Sequence, residues 1–209
     1  MTTVIIVCTL LLLALFLLRL LLFKGPLHPA VSPPPHGIID MHCHTAGIGA
    51  GNSGAWISDE MRGSWKFGLY MRVFGSNVKQ VTTTGDQILM EIIARSIRES
   101  NHVNGAVILA MDAPYKQSGA LDRLASEIFV PNRFVGETVK AYPELHFGAS
   151  VHPNRPDALE ELDWSKTNGA ALLKWLPNIQ NINPADERHV PYYEKLVELD
   201  LPLLTHVGD

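Results

Sequence analysis

The chain has 209 residues, enough for one domain with a sizeable core, and is 46% apolar against 18% charged. A net charge of −4 with no long basic run excludes the concentrated positive face that nucleic-acid binding requires. Cys8 and Cys43 are the two cysteines, one in an apolar N-terminal run and one in a predicted strand, so both read as free thiols, as in a reducing compartment.

Residues 4–23 are apolar except for Thr9 and Arg19. About twenty helical residues span a hydrocarbon core of roughly 30 Å, so residues 1–24 predict one transmembrane helix. A cleaved signal peptide fits less well. The start Met1-Thr2-Thr3 has no basic side chain, and the cleavage triplet Ala30-Val31-Ser32 is followed by Pro33. Arg19 and Lys24 lie at the C-terminal end, which predicts a single-pass protein with its folded domain in the cytoplasm; a periplasmic or secreted domain is the alternative. Residues 25–37 contain Pro26, Pro29, Pro33, Pro34 and Pro35 and read as a stiff, extended linker.

Beyond the linker, short apolar runs alternate with helical stretches. The runs are 38–44, 105–112 (GAVILAMD), 145–152 (LHFGASVH), 169–176 (GAALLKWL) and 202–207 (PLLTHV). A helix is predicted over 86–100, where Ile88, Leu89, Ile92, Ile93 and Ile97 form a stripe and Thr84 and Gln87 have capping-box spacing. Further helices are predicted over 135–142, 156–162 and 191–199, the last with proline in its first turn. Strands alternating with helices predict parallel pairing and an α/β fold, and runs apolar on both faces suit strands covered by helices.

A closed barrel and an open doubly wound sheet both satisfy this order. Gly49-Ala50-Gly51-Asn52-Ser53-Gly54 matches the dinucleotide fingerprint, which would favour the open sheet. A working fingerprint leads from strand directly into helix, whereas here no helical stripe begins before Asp86. The segment therefore reads as a loop above the first strand. Trp56, Trp65 and Tyr70 lie in the long connection that follows, as packing residues or as a lid.

The chemistry concentrates in Asp40-Met41-His42-Cys43-His44. Side chains alternate along a strand, so Asp40, His42 and His44 are expected on one face and Met41 and Cys43 on the other. Two neutral imidazoles at i and i+2 can hold one metal ion, with Asp40 orienting an imidazole from behind. Lys174 stands alone in an apolar run, where its ammonium is costly; a neutral amine there can take up carbon dioxide and become an anionic carbamate ligand. His206 closes the fifth run and becomes a further metal candidate beside the other three. His152 ends the third run as a substrate-facing or supporting group, while His102, His146 and His189, read as lying in helix ends and loops, receive no role.

Together, D-x-H-x-H on the first strand, the lone lysine on the fourth and the histidine ending the fifth resemble the amidohydrolase superfamily, in its amidohydrolase-related metal-dependent hydrolase branch. GASVHPNRPDAL (148–159), ALLKWLPNIQNINP (171–184) and LPLLTHVGD (201–209) carry the same resemblance, which covers 38–209. It implies a TIM-type (β/α)8 barrel with divalent metal, one or two zinc ions, at its C-terminal face. By that analogy His42 and His44 hold the more buried ion, Lys174 bridges as a carbamate and His206 holds the second. Metal-activated water would then attack an amide, ester or lactone of a small molecule.

The resemblance also expects a histidine on a sixth strand and a proton-transfer aspartate on an eighth, both beyond residue 209. Such barrels need about 250 residues, and only about 170 follow the linker. About five βα units are therefore expected over 38–209, an N-terminal fragment that is inactive alone. Two other readings remain: a metal-dependent decarboxylase of the same superfamily, and a non-catalytic, membrane-tethered binding fragment.

Overall fold

The computed structural model describes residues 2–22, 34 and 36–207. The linker expected over 25–37 falls almost wholly outside the described residues. Two compact units are separated, Met1–Pro35 and His36–Asp209. In the first, helix α1 covers Thr2–Leu22, with side chains described from Val4 to Arg19. Among the described residues no helix is long and apolar enough to cross a membrane, so the structure does not support the transmembrane helix expected over 1–24.

The second unit begins with β1 (Ile38–His44), β2 (Trp56–Ile57) and the short helices α2 (Asp59–Gly63), α3 (Trp65–Val73) and α4 (Val78–Thr84). Helix α5 (Gln87–Arg98) leads to β3 (Val103–Leu109), β4 (Ile128–Phe129), α6 (Asn132–Thr138) and β5 (Leu145–Ala149). Then come α7 (Ala158–Thr167), β6 (Ala170–Trp175), α8 (Pro177–Gln180), α9 (Val190–Glu198) and β7 (Leu203–Thr205).

Five strands pair in parallel in the order β1-β3-β5-β6-β7, each beside the next in the chain. An open doubly wound sheet requires a reversal of strand order, and this sheet has none. The result is an α/β fold whose sheet is a curled half-barrel. β2 and β4 form a separate antiparallel pair.

The sheet has two unlike faces. Ala106, Ile108, Phe147, Leu173 and Trp175 face the helices and join Met90, Val135, Leu162 and Leu196 in the main core. The opposite face holds a smaller cluster of Val107, Leu109 and Leu172, with Leu204 against it. Lys174 pairs with Leu204 across the sheet and lies two residues beyond Leu172, so it belongs to this inner face.

Strand β1 departs from simple alternation. Asp40 is opposite Ala106 and Cys43 opposite Ile108, so β1 advances three residues while β3 advances two. The extra residue is a β-bulge. It puts Asp40 and Cys43 on the same, helix-facing side, where both line a groove with Ile93 and Ile97. Asp40 is thus separated from the face expected for it. Met41, expected against the helices, is 49% exposed.

The capping box expected at Thr84 and Gln87 is also absent. Thr84 ends α4, and Asp86 is the N-cap of α5. Helices α2, α3 and α4 occupy a stretch that the sequence suggested was a connection.

Gly148 shows how closely the inner face is filled. A Cβ there would lie 2.6 Å from Leu109 Cδ2 and 2.8 Å from Val107 Cγ1. Both neighbours are buried, so overpacking cannot relax freely. Gly148→Ala is expected to destabilise the domain by about 1–3 kcal/mol, read as a lowered urea midpoint with unchanged slope.

Candidate functional site

The C-terminal ends of β1, β6 and β7 bring the predicted residues together. His42 and His44 project from one side of β1, and their Nε2 atoms approach to 3.0 Å. Two imidazoles sharing a tetrahedral ion at 2.0–2.1 Å have nitrogens about 3.3 Å apart, close to the separation here. His206 continues the β6–β7 ladder through its N–H to the Trp175 carbonyl at 3.0 Å. Its ring meets His42 edge-on, with centroids 6.2 Å apart.

Lys174 is 1% exposed and has no ion pair among the described residues. Burial pushes its ammonium pKa down. Burial, then Lys174 and His206, lower the His42 pKa against a smaller opposing pull from Asp40. Burial first, then His42, Lys174 and His206, lower His44 to about 4. The His44 imidazole is therefore neutral near pH 7, the form that donates to a metal. Its buried Nδ1 has no hydrogen-bond partner.

The nitrogen pair fits a divalent cation by spacing and protonation state. The set is not closed, however: among the described residues no group of three or more His, Cys, Asp or Glu side chains is arranged to hold a metal ion. Asp40 stands apart from the imidazole nitrogens. Its carboxylate accepts the main-chain N–H of His42 at 2.9 Å, fixing the bulge. Cys43 and Cys8 are both free; burial and then Asp40 push the Cys43 thiol up to about 11, which leaves it protonated and inert.

His152, expected as a substrate-facing or supporting group, lies within the protein interior. It is fully buried, its Nδ1 accepts the Asn154 N–H at 3.0 Å, and its Nε2 bonds the Gln180 carbonyl at 2.9 Å. The first bond fixes the tautomer with the proton on Nε2, so neither nitrogen is free for substrate. His146, given no role from sequence, lies in β5. His189 is buried and meets the Trp175 ring.

Sequence reasoning missed Asp86 and Asp112. The buried Asp86 carboxylate accepts the N–H groups of Ile48 at 3.0 Å and Gly49 at 2.9 Å, and also the Ser53 hydroxyl. The Gly49 N–H and the Ser53 hydroxyl belong to the glycine-rich segment, so that segment is held by a carboxylate of the chain itself. Asp112 lies just beyond β3, in a run the sequence extended through it. Its carboxylate accepts the His152 N–H at 2.8 Å and Arg155 Nη1 at 3.2 Å. An acidic residue closing an otherwise apolar run was the available sign.

No family model matches the chain, and no curated protein matches it. Among solved structures it is similar to a probable 2-pyrone-4,6-dicarboxylic acid hydrolase from Acinetobacter baumannii with citric acid bound. The TM-score is 0.48 and the identity 11%, over 82% of this chain and 50% of that one. The chain thus spans about half the length of that protein.

His152 gives the site region a pH dependence. Burial lowers its pKa to about 4 from 6.5. Between these values the unfolded chain binds the proton and the folded chain does not, so stability is full above pH 6.5 and declines as pH falls towards 4. One such histidine contributes about 2 kcal/mol of loss between pH 7 and 5. Denaturant titrations should show that decline, to which His44 adds. In His152→Leu the slope should be shallower, whatever the variant's stability at pH 7.

Proposed function

We propose that the protein is a metal-dependent hydrolase of amidohydrolase type, cleaving an amide, ester or lactone of a small molecule. The observation that carries this reading is the His42–His44 pair, with Nε2 atoms 3.0 Å apart on the inner face of a parallel half-barrel. Lys174 on the same face and His206 at the end of β7 support it. β1 and β7 each pair on one side only among the described strands, and in this reading they are continued by the remaining strands of a (β/α)8 barrel.

His42 and His44 would hold the first divalent ion, for which zinc suits the imidazole donors. When bound, the ion supplies Lewis acidity and lowers the pKa of water. The other tasks belong to the chain. Burial favours the neutral Lys174 amine, which can add carbon dioxide, release a proton and present a carbamate to one or two ions. Asp40 fixes the backbone at His42, and so the direction of both imidazoles. The proton-transfer aspartate would come from a later strand.

Elemental analysis of the purified full-length protein should find about one or two zinc ions per chain, with His42→Ala losing at least one. Unchanged metal content in that variant would refute the assignment. Lys174→Met separates function from stability. Replacing a buried, unpaired amine by an apolar group of similar shape should leave the stability of the metal-free protein unchanged or raise it by about 1–3 kcal/mol. Metal occupancy and ester hydrolysis should fall in the same variant.

A further inference from the structure

Next to the histidine pair lies a cavity of about 240 Å³, bounded by His44 and Thr45 at the end of β1, by Leu89 and Ile92 of α5, and by Met61 and Phe67 of the short helices above. Protein interiors contain few voids larger than a water molecule. An apolar cavity of roughly 150 Å³ holds a benzene ring, so this one has room for a ring and a short chain. Tyr70 and Phe74 also line it and are 56% and 52% exposed, so they form a rim open to solvent. Two polar residues, His44 and Thr45, stand among the mainly apolar lining side chains. His44 Nδ1 and Thr45 Oγ1 are both buried without a hydrogen-bond partner, although Thr45 is only 5% exposed. A buried hydroxyl left unpaired is costly, and an apolar pocket with a few unpaired polar groups is the usual form of a small-molecule site.

We propose that this cavity is the substrate's specificity pocket, receiving an arylalkyl or medium-length alkyl group whose polar end lies at Thr45 and His44. The pocket is a property of α2, α3, α5 and the end of β1. Its link to turnover rests on the hydrolase reading above. The substrates are then lipophilic acyl compounds, such as arylalkanoyl esters or amides, and small hydrophilic acyl groups are poor substrates.

Binding is tested first without chemistry, by NMR titration of the full-length protein with n-butylbenzene and 4-phenyl-1-butanol. Both should bind saturably, the alcohol more tightly by roughly fivefold, the contribution of one hydrogen bond. Thr45→Val should abolish that difference and leave n-butylbenzene binding unchanged. Met61→Trp, which fills the cavity, should weaken both by about tenfold or more. Phe67→Ala, which enlarges it, should shift preference towards longer alkylbenzenes and guards against misfolding of the tryptophan variant. Absence of saturable binding, or identical binding in Met61→Trp with its fold intact, overturns the proposal. Hydrolysis is then compared for p-nitrophenyl acetate and p-nitrophenyl 4-phenylbutyrate. kcat/KM should favour the longer ester by about tenfold or more in the wild type, with that preference lost in Met61→Trp. Saturable binding without cleavage of either ester supports the pocket and overturns the hydrolase reading.

Discussion

The carboxylate of Asp112 stands where three strands end, and the upper face of the sheet depends on what it holds. It accepts the His152 main-chain N–H at 2.8 Å and Arg155 at 3.2 Å, and the Asp112 carbonyl accepts Gln180 Nε2 at 3.1 Å. Gln180 in turn accepts the Leu176 N–H through Oε1 and the His152 imidazole through its carbonyl. Ser150 Oγ closes the circuit on the carbonyl of Lys174 at 2.9 Å. These residues lie at the ends of β3, β5 and β6, where strands finish and ladder bonds run out. Burial raises the Asp112 pKa, and the Arg155 charge opposes it. Removing the arginine would therefore leave an uncompensated buried carboxylate, a larger loss than that of one ordinary hydrogen bond.

With the strand ends tied in this way, the backbone at Lys174 is held and its side chain is buried. Its carbonyl is held by Ser150, its neighbour Trp175 donates to the Val151 carbonyl, and the face it shares with Leu172 is apolar. The same rigidity leaves His44 with a buried, unpartnered nitrogen and the lysine with a buried amine, and both are pushed towards the neutral form. The fold thus stores unfavourable polar burial at one end of the sheet while satisfying it closely a few residues away at Asp112 and Gln180.

The strands were legible because both faces of the sheet are apolar, so the runs announce themselves without alternation. The run at 38–44 matches β1, and the one at 169–176 overshoots β6 by one residue at each end. Ends blurred where apolar residues continue past the last ladder bond, as at Ala110 and Met111 beyond β3. The helix α5 was legible from its stripe. Helices α2, α3 and α4 were not, being short and largely exposed, with Met71 and Val81 packed against Ile88 and Leu89 of α5 in place of a pattern of their own. His42, His44, Lys174 and His206 could be chosen from sequence because each is a polar side chain at the end of an apolar run. The environment of His152 could not be, since its Nε2 partner, the Gln180 carbonyl, comes from elsewhere in the fold.

The bulge in β1 shows why spacing alone misplaced Asp40. Alternation treats the strand as regular, and one extra residue reverses the side on which every earlier residue falls. Here that residue lies between Asp40 and Cys43, so the aspartate turns towards α5 while the two histidines keep the inner face. Had the strand been regular, the carboxylate would have shared that face with the imidazoles and drawn their charged forms upward, against the neutral state that ligation needs. Instead it accepts a main-chain N–H, stiffens the turn in the strand and exerts only a weak pull on His42. The bulge therefore separates two jobs that D-x-H-x-H seemed to combine: one residue holds the backbone, and two present nitrogen to the interior, with His44 at the edge of the apolar cavity.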